Sequence, residues 1–141
     1  MQAQAKLTES DLINIERYAC SKSLAAFVRL AWHIVEPSQK YIHGWHIDCI
    51  CAHLEAVTRG DITRLLINIP PGTMKSLLVG VFWPAWEWGA IGRPSTRYVT
   101  ASHNQELAIR DTMKMRRLIS SDWYQTRWPI FLAKDQNEKS K

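Results

Sequence analysis

The sequence predicts an α/β protein: an N-terminal helical segment over residues 1–40, then a partial parallel sheet with flanking helices over 41–130, and a polar tail over 131–141. Three observations predict it. Apolar residues recur at helical spacing through the first third of the chain. A short, nearly continuous apolar run, RLLINI (64–69), then breaks that period, as a strand buried on both faces does, and RYVTAS (97–102) reads as a second short strand. Each run is followed by a helical pattern, and strand, helix, strand, helix is the order of a parallel sheet with crossover helices.

The first helix is expected to start at Thr8, with Asp11 supplying an acidic group in its first turn. Leu12, Ile15, Tyr18 and Ala19 repeat along it at helical spacing. A second helix, SLAAFVRLAWHIVE (23–36), should stop before Pro37, which lacks the amide the helix needs. A loop, PSQKYIHG (37–44), leads to a third helix from about Trp45 to Thr58. Its stripe is Ile47, Ile50, Leu54 and Val57, and Gly60 is its stop. After the first strand, Lys75 opens a helix running toward Gly89 with a kink expected at Pro84. GRPS (92–95) reads as a turn, RYVTAS as the second strand, and HNQELAIRDTMKMRRLIS (103–120) as a strongly periodic helix.

With 141 residues, 46% hydrophobic and 22% charged, the chain has the size and composition of one ordinary globular domain. No repeat and no low-complexity segment is present. The net charge of +5 favours an anionic partner without specifying one. Its three cysteines, Cys20, Cys49 and Cys51, have neither zinc-ribbon nor disulfide-framework spacing, which suits a reducing compartment. MQAQAKLTESDL lacks the apolar stretch of a secretory signal, and LLVGVFWPAWEWGAIG, carrying Pro84 and Glu87, is too short to span a bilayer. The seven tryptophans are expected mainly in the core.

Chemistry concentrates in INIPPGTMKS (67–76). A phosphate-binding loop places consecutive backbone amides and a lysine around a phosphate at a helix N-terminus, and the following hydroxyl ligates magnesium. The usual form is G-x-x-x-x-G-K-[ST] after a buried strand. Lys75 and Ser76 fit it, whereas Ile69 and Met74 stand at the two glycine positions and Gly72 lies inside the loop. Methionine is accommodated there if its backbone takes right-handed helical angles. In this context the predicted sheet becomes an incomplete P-loop NTPase fold.

INIPPGTMKSLLVGVFWPAWEWG, RYVTASHNQELAIRDTMKMRRLI and WYQTRWP, in that order, resemble the large terminase subunit of tailed bacteriophages, the ATP-driven DNA-packaging motor. The resemblance runs from about Tyr41 to the end. It implies ATP and Mg2+ as cofactors, with Lys75 on the β/γ-phosphates, Ser76 on the metal, and Pro70, Pro71, Gly72, Thr73 and Met74 as the loop. It places Trp45 and His46 where related motors carry an aromatic and an adenine-reading glutamine, from which His46 departs. Pro71 and Gly72 stand where some members carry an arginine. The implied partners are double-stranded DNA, the portal, the small terminase subunit and further copies in the full-length motor, in the host cytoplasm and without a membrane.

The family's hydrolytic machinery has no counterpart among these residues. No apolar run ends in paired carboxylates, and the acidic nuclease cluster is missing, so the catalytic set is incomplete and the chain reads as a truncated N-terminal part of such a motor. The alternative is a non-enzymatic prophage remnant or interaction module that binds DNA or a protein through its basic helix. There Ala108, Thr112, Met115 and Ile119 are expected inward, with Arg110, Lys114 and Arg117 on the opposite face as a solvated surface or a contact to phosphates or a neighbouring subunit. His46, Cys49 and His53, with Cys51 nearby, share one side of the third helix but lack a fourth ligand, and read as the border of its apolar stripe. Ser102 and His103 are adjacent, face apart, and have no third member for nucleophilic catalysis.

Overall fold

The structure, a computed structural model, describes residues 7–131; the expected polar tail, save Phe131, lies outside the described residues. The elements are α1 (Glu9–Lys22), α2 (Leu24–Val35), α3 (Trp45–Arg59), α4 (Lys75–Leu77), a π-helical turn (Leu78–Phe82), α5 (Trp83–Trp88), α6 (Gln105–Ile119) and α7 (Asp122–Arg127). Helix α2 is the centre of the molecule and packs against α1, α3, α5, α6 and the π turn. It is apolar on most of its circumference, burying Leu24, Phe27, Val28, Ala31, Trp32 and Val35.

Helix ends follow local chemistry. The Thr8 hydroxyl accepts from the Asp11 amide while the Asp11 carboxylate accepts from the Thr8 amide, a reciprocal cap on α1. Gly60 ends α3 at φ 88°, a conformation that a Cβ disfavours. Pro84 has no amide for the Gly80 carbonyl. The chain absorbs this just upstream, where the Trp83 amide reaches back five residues to the Leu78 carbonyl. The kink expected at Pro84 is therefore a π turn.

The predicted α/β class is overturned: among the described residues there is no strand and no sheet, so the incomplete P-loop NTPase fold with a partial parallel sheet is not what this chain forms. RLLINI does run extended, and its side chains alternate. Leu65, Ile67 and Ile69 pack on the core while Leu66 is 92% exposed. RYVTAS behaves likewise, with Tyr98 packed inward and Val99 exposed. An extended segment becomes a strand only when a neighbour completes its ladder, and among the described residues no backbone hydrogen bond joins these two. A short apolar run signals burial, and helices provide the burial here.

The tryptophans meet the core expectation with one exception. Trp86 is buried, its indole donating to the Cys20 carbonyl at 2.7 Å, and Trp32 and Trp128 are buried as well. Trp83, Trp88 and Trp123 are partly buried against them, whereas Trp45 is 79% exposed. On α1 the repeat points outward: Leu12, Ile15 and Tyr18 are exposed, and Cys20 is the buried residue.

Candidate phosphate-binding loop

The loop from Pro70 to Ser76 turns away from the extended segment and enters α4. Its closure comes from the Thr73 hydroxyl, which donates to the Pro70 carbonyl at 2.7 Å. Gly72 sits at φ 83°, and Met74 at φ 64°, ψ 5°. Met74 therefore occupies the left-handed region rather than the right-handed angles expected of it. It is the one non-glycine residue at positive φ among the described residues. That conformation costs about 1–2 kcal/mol for a residue with a Cβ. Held strain of this kind collects at functional sites.

Alternating left-handed and right-handed residues turn successive amides to one side, the arrangement that makes an anion-binding nest. Among the described residues, the amides from Met74 to Leu77 donate to no protein acceptor, and the first bond of the helix is Leu78 to the Met74 carbonyl at 2.9 Å. Lys75, half-buried, begins the helix and forms no ion pair among the described residues. Loop and lysine survive without the predicted sheet because they depend on dihedral angles and on the helix behind them.

The loop forms one wall of a cavity of about 480 Å3. The rest of the lining is Trp32, Glu36 and Gln39 from the end of α2 and its following turn, with Arg110 and Lys114 of α6. A second cavity of about 360 Å3 lies across Lys75 and Ser76, reaching Thr100, Ser102 and Asp111. Three cations thus border the first cavity, with a single carboxylate among them. Lys114 is bonded to Glu36, and Arg110 Nη2 meets Asp111 Oδ1 at 2.7 Å, which leaves Lys75 as the uncommitted charge.

The candidate residues divide accordingly. Pro70, Pro71, Gly72, Thr73, Met74, Lys75 and Ser76 line one cavity together, joined by Arg110 and Lys114. Trp45 and His46 do not line it. The His46 ring lies over Gly44, where an added Cβ would stand 2.6 Å from it. On α6 the expected inward stripe holds at Met115 and Ile119, with Ala108 partly buried, but fails at Thr112, which is exposed; Lys114, expected on the opposite face, is partly buried, as are Leu107 and Asp111. Of the three basic residues, only Arg117 is exposed and without an ion-pair partner among the described residues. Cys49 and His53 are neighbours on α3 at 3.9 Å, but no group of three metal-ligating side chains exists among the described residues. Ser102 borders the second cavity, and His103 is exposed.

Glu36, Trp32 and Gln39 were not singled out from sequence. One signal was available for Glu36. An acid at the C-terminal end of a helix faces the negative pole of the helix dipole and calls for a cation; the cation is Lys114, 78 residues away.

This donor set suits a polyanion: loop amides, a lysine, two further cations and the Ser76 hydroxyl surround one space. The oxygen-bearing side chains lining that space are Glu36, Gln39, Thr73 and Ser76, and the single carboxylate among them is paired, so a divalent metal would arrive with the anion. No helix of the described residues is long and apolar enough to cross a membrane. No protein-family model, no curated protein and no solved structure matches this chain.

Proposed function

We propose that this protein binds the phosphate chain of a nucleoside triphosphate on the loop Pro70–Ser76, as the nucleotide-binding portion of a phage DNA-packaging ATPase. The observation that carries the reading is Met74 held at φ 64° immediately before Lys75, with the amides from Met74 to Leu77 left without protein partners among the described residues. Strain of about 1–2 kcal/mol persists where the surrounding structure overrides it, and here the strained residue sits in a loop that lines a cationic cavity. The cavity, about 480 Å3, is within the range of small-molecule sites. The assignment to a packaging motor, with ATP, magnesium and double-stranded DNA, rests on the motif order INIPPGTMKS, RYVTAS, WYQTRWP.

Each group has a part. The amides and Lys75 hold the terminal phosphates, Arg110 and Lys114 neutralise the outer oxygens, and the Ser76 hydroxyl meets the magnesium that a nucleotide carries with it. Magnesium, when bound, would screen charge on the phosphates. The base end is directed away from Trp45 and His46 and toward the wall of Trp32 and Gln39. Titration with a fluorescent ATP analogue tests the reading. Lys75→Ala should abolish magnesium-dependent binding, and equal affinity in the variant and the parent would remove the phosphate cradle. For the basic helix as a duplex contact, the supporting observation is narrower, an exposed Arg117 with no ion-pair partner among the described residues, beside a half-buried Arg116.

A further inference from the structure

Lys114 and Glu36 form an ion pair between α6 and the end of α2, with side chains only 20% and 17% exposed. Both line the same cavity as the loop. A polyphosphate on Lys75 and the loop amides competes with Glu36 for Lys114, since a phosphate oxygen and a carboxylate oxygen make the same charge-assisted bond. If Lys114 turns to the ligand, Glu36 is left as a poorly solvated anion beside a polyanion. That state is unfavourable unless a second cation compensates it.

We infer that Glu36 makes this a site for metal-bound rather than free polyphosphate, by opposing the bare anion and accepting the divalent cation that accompanies it. The inference rests on the phosphate-cradle reading. It adds a selectivity that the cradle alone does not have, because amides and lysines attract free and metal-bound phosphates alike. Ser76 and Glu36 line the same cavity, so a cation that arrives with the phosphate chain would find oxygen donors from both the loop and the end of α2.

Calorimetric titration of the whole chain with inorganic tripolyphosphate, with and without magnesium, tests this. The parent should bind the magnesium complex about tenfold more tightly than the free anion. Glu36→Gln should bind the free anion more tightly than the parent does and lose most of the magnesium dependence. Lys114→Met frees Glu36 without removing it. It should weaken the free anion further and increase the magnesium dependence, so the two variants shift in opposite directions. If Lys75→Ala abolishes binding while Glu36→Gln keeps the parent's affinities and magnesium dependence, the role of Glu36 is overturned and the cradle stands. If Lys75→Ala leaves tripolyphosphate binding unchanged, the cradle itself fails.

Discussion

The Thr73 hydroxyl donates to the Pro70 carbonyl at 2.7 Å, and this bond ties the middle of the phosphate-binding loop to its first residue. It is exposed, so it adds little to global stability. Its effect falls on the loop, whose amides converge only while the turn is closed. Thr73→Val should therefore lower stability by less than about 1 kcal/mol in urea. Affinity for an ATP analogue should fall several-fold. A variant that binds as the parent does would show that the loop closes without this bond.

Met74→Gly should leave the loop in place and remove its strain. The left-handed conformation costs methionine about 1–2 kcal/mol, and glycine gives back roughly 0.4–1 kcal/mol through unfolded-chain entropy. The net expectation is a gain of up to about 1 kcal/mol with nucleotide binding preserved or improved. Met74→Ala, with a Cβ in the same backbone, should show no such gain. Urea denaturation of the three proteins checks the order, and a destabilised glycine variant would contradict the assigned backbone.

The helices were legible because their signals are local. The third helix was expected from Trp45 to Thr58 and runs Trp45–Arg59 into a left-handed Gly60. The second was expected to stop before Pro37, and it ends at Val35 with Glu36 as its cap. RLLINI misled because an apolar run records burial without naming the neighbour, and pairing is decided by residues far away in the chain. On α6 the inward positions of Met115 and Ile119 were legible, and the placing of Lys114 on the outer face misled for a related reason. Lys114 looks like a surface residue until Glu36, on another helix, is beside it. The chemistry of PPGTMKS was legible from residue types, but the positive φ of Met74 was not, because only the packed loop imposes it.

The thiols should separate in reactivity. Cys49 is exposed, whereas Cys20 and Cys51 are buried, and burial pushes each buried thiol up from 9.0 to about 12. A thiol reagent at neutral pH should modify Cys49 quickly and reach the other two only on unfolding. The pH dependence has the same origin. A thiol whose folded value is raised contributes stability fully present below 9.0 and lost as pH rises through that value toward about 12. Tyr98 and Tyr124 are also raised, chiefly by burial, and their loss begins above 10.0. Urea midpoints should thus fall from pH 8 to pH 10.5, conditions chosen to bracket these values. A flat profile would place the thiols in contact with water.

Turnover should be absent. Phosphoryl transfer to water needs a positioned nucleophile as well as held phosphates. Glu36 is taken up by Lys114 or, with ligand bound, by the accompanying cation, Asp111 is paired with Arg110, and Glu87 is buried and bonded to the Tyr98 hydroxyl. Phosphate release by the chain, with or without duplex DNA, should equal that of Lys75→Ala. Robust release lost in that variant would mean that one of these carboxylates orients water despite its partner.

The amide resonances of the loop offer the most direct measurement. Heteronuclear spectra of 15N-labelled protein, titrated with magnesium tripolyphosphate, report on each backbone N–H separately. If the amides from Met74 to Leu77 hold the phosphates, their signals should move together and saturably, with those of α1 unmoved, and Lys75→Ala should abolish the movement. Saturable shifts elsewhere with the Met74–Leu77 signals unmoved would contradict the phosphate cradle.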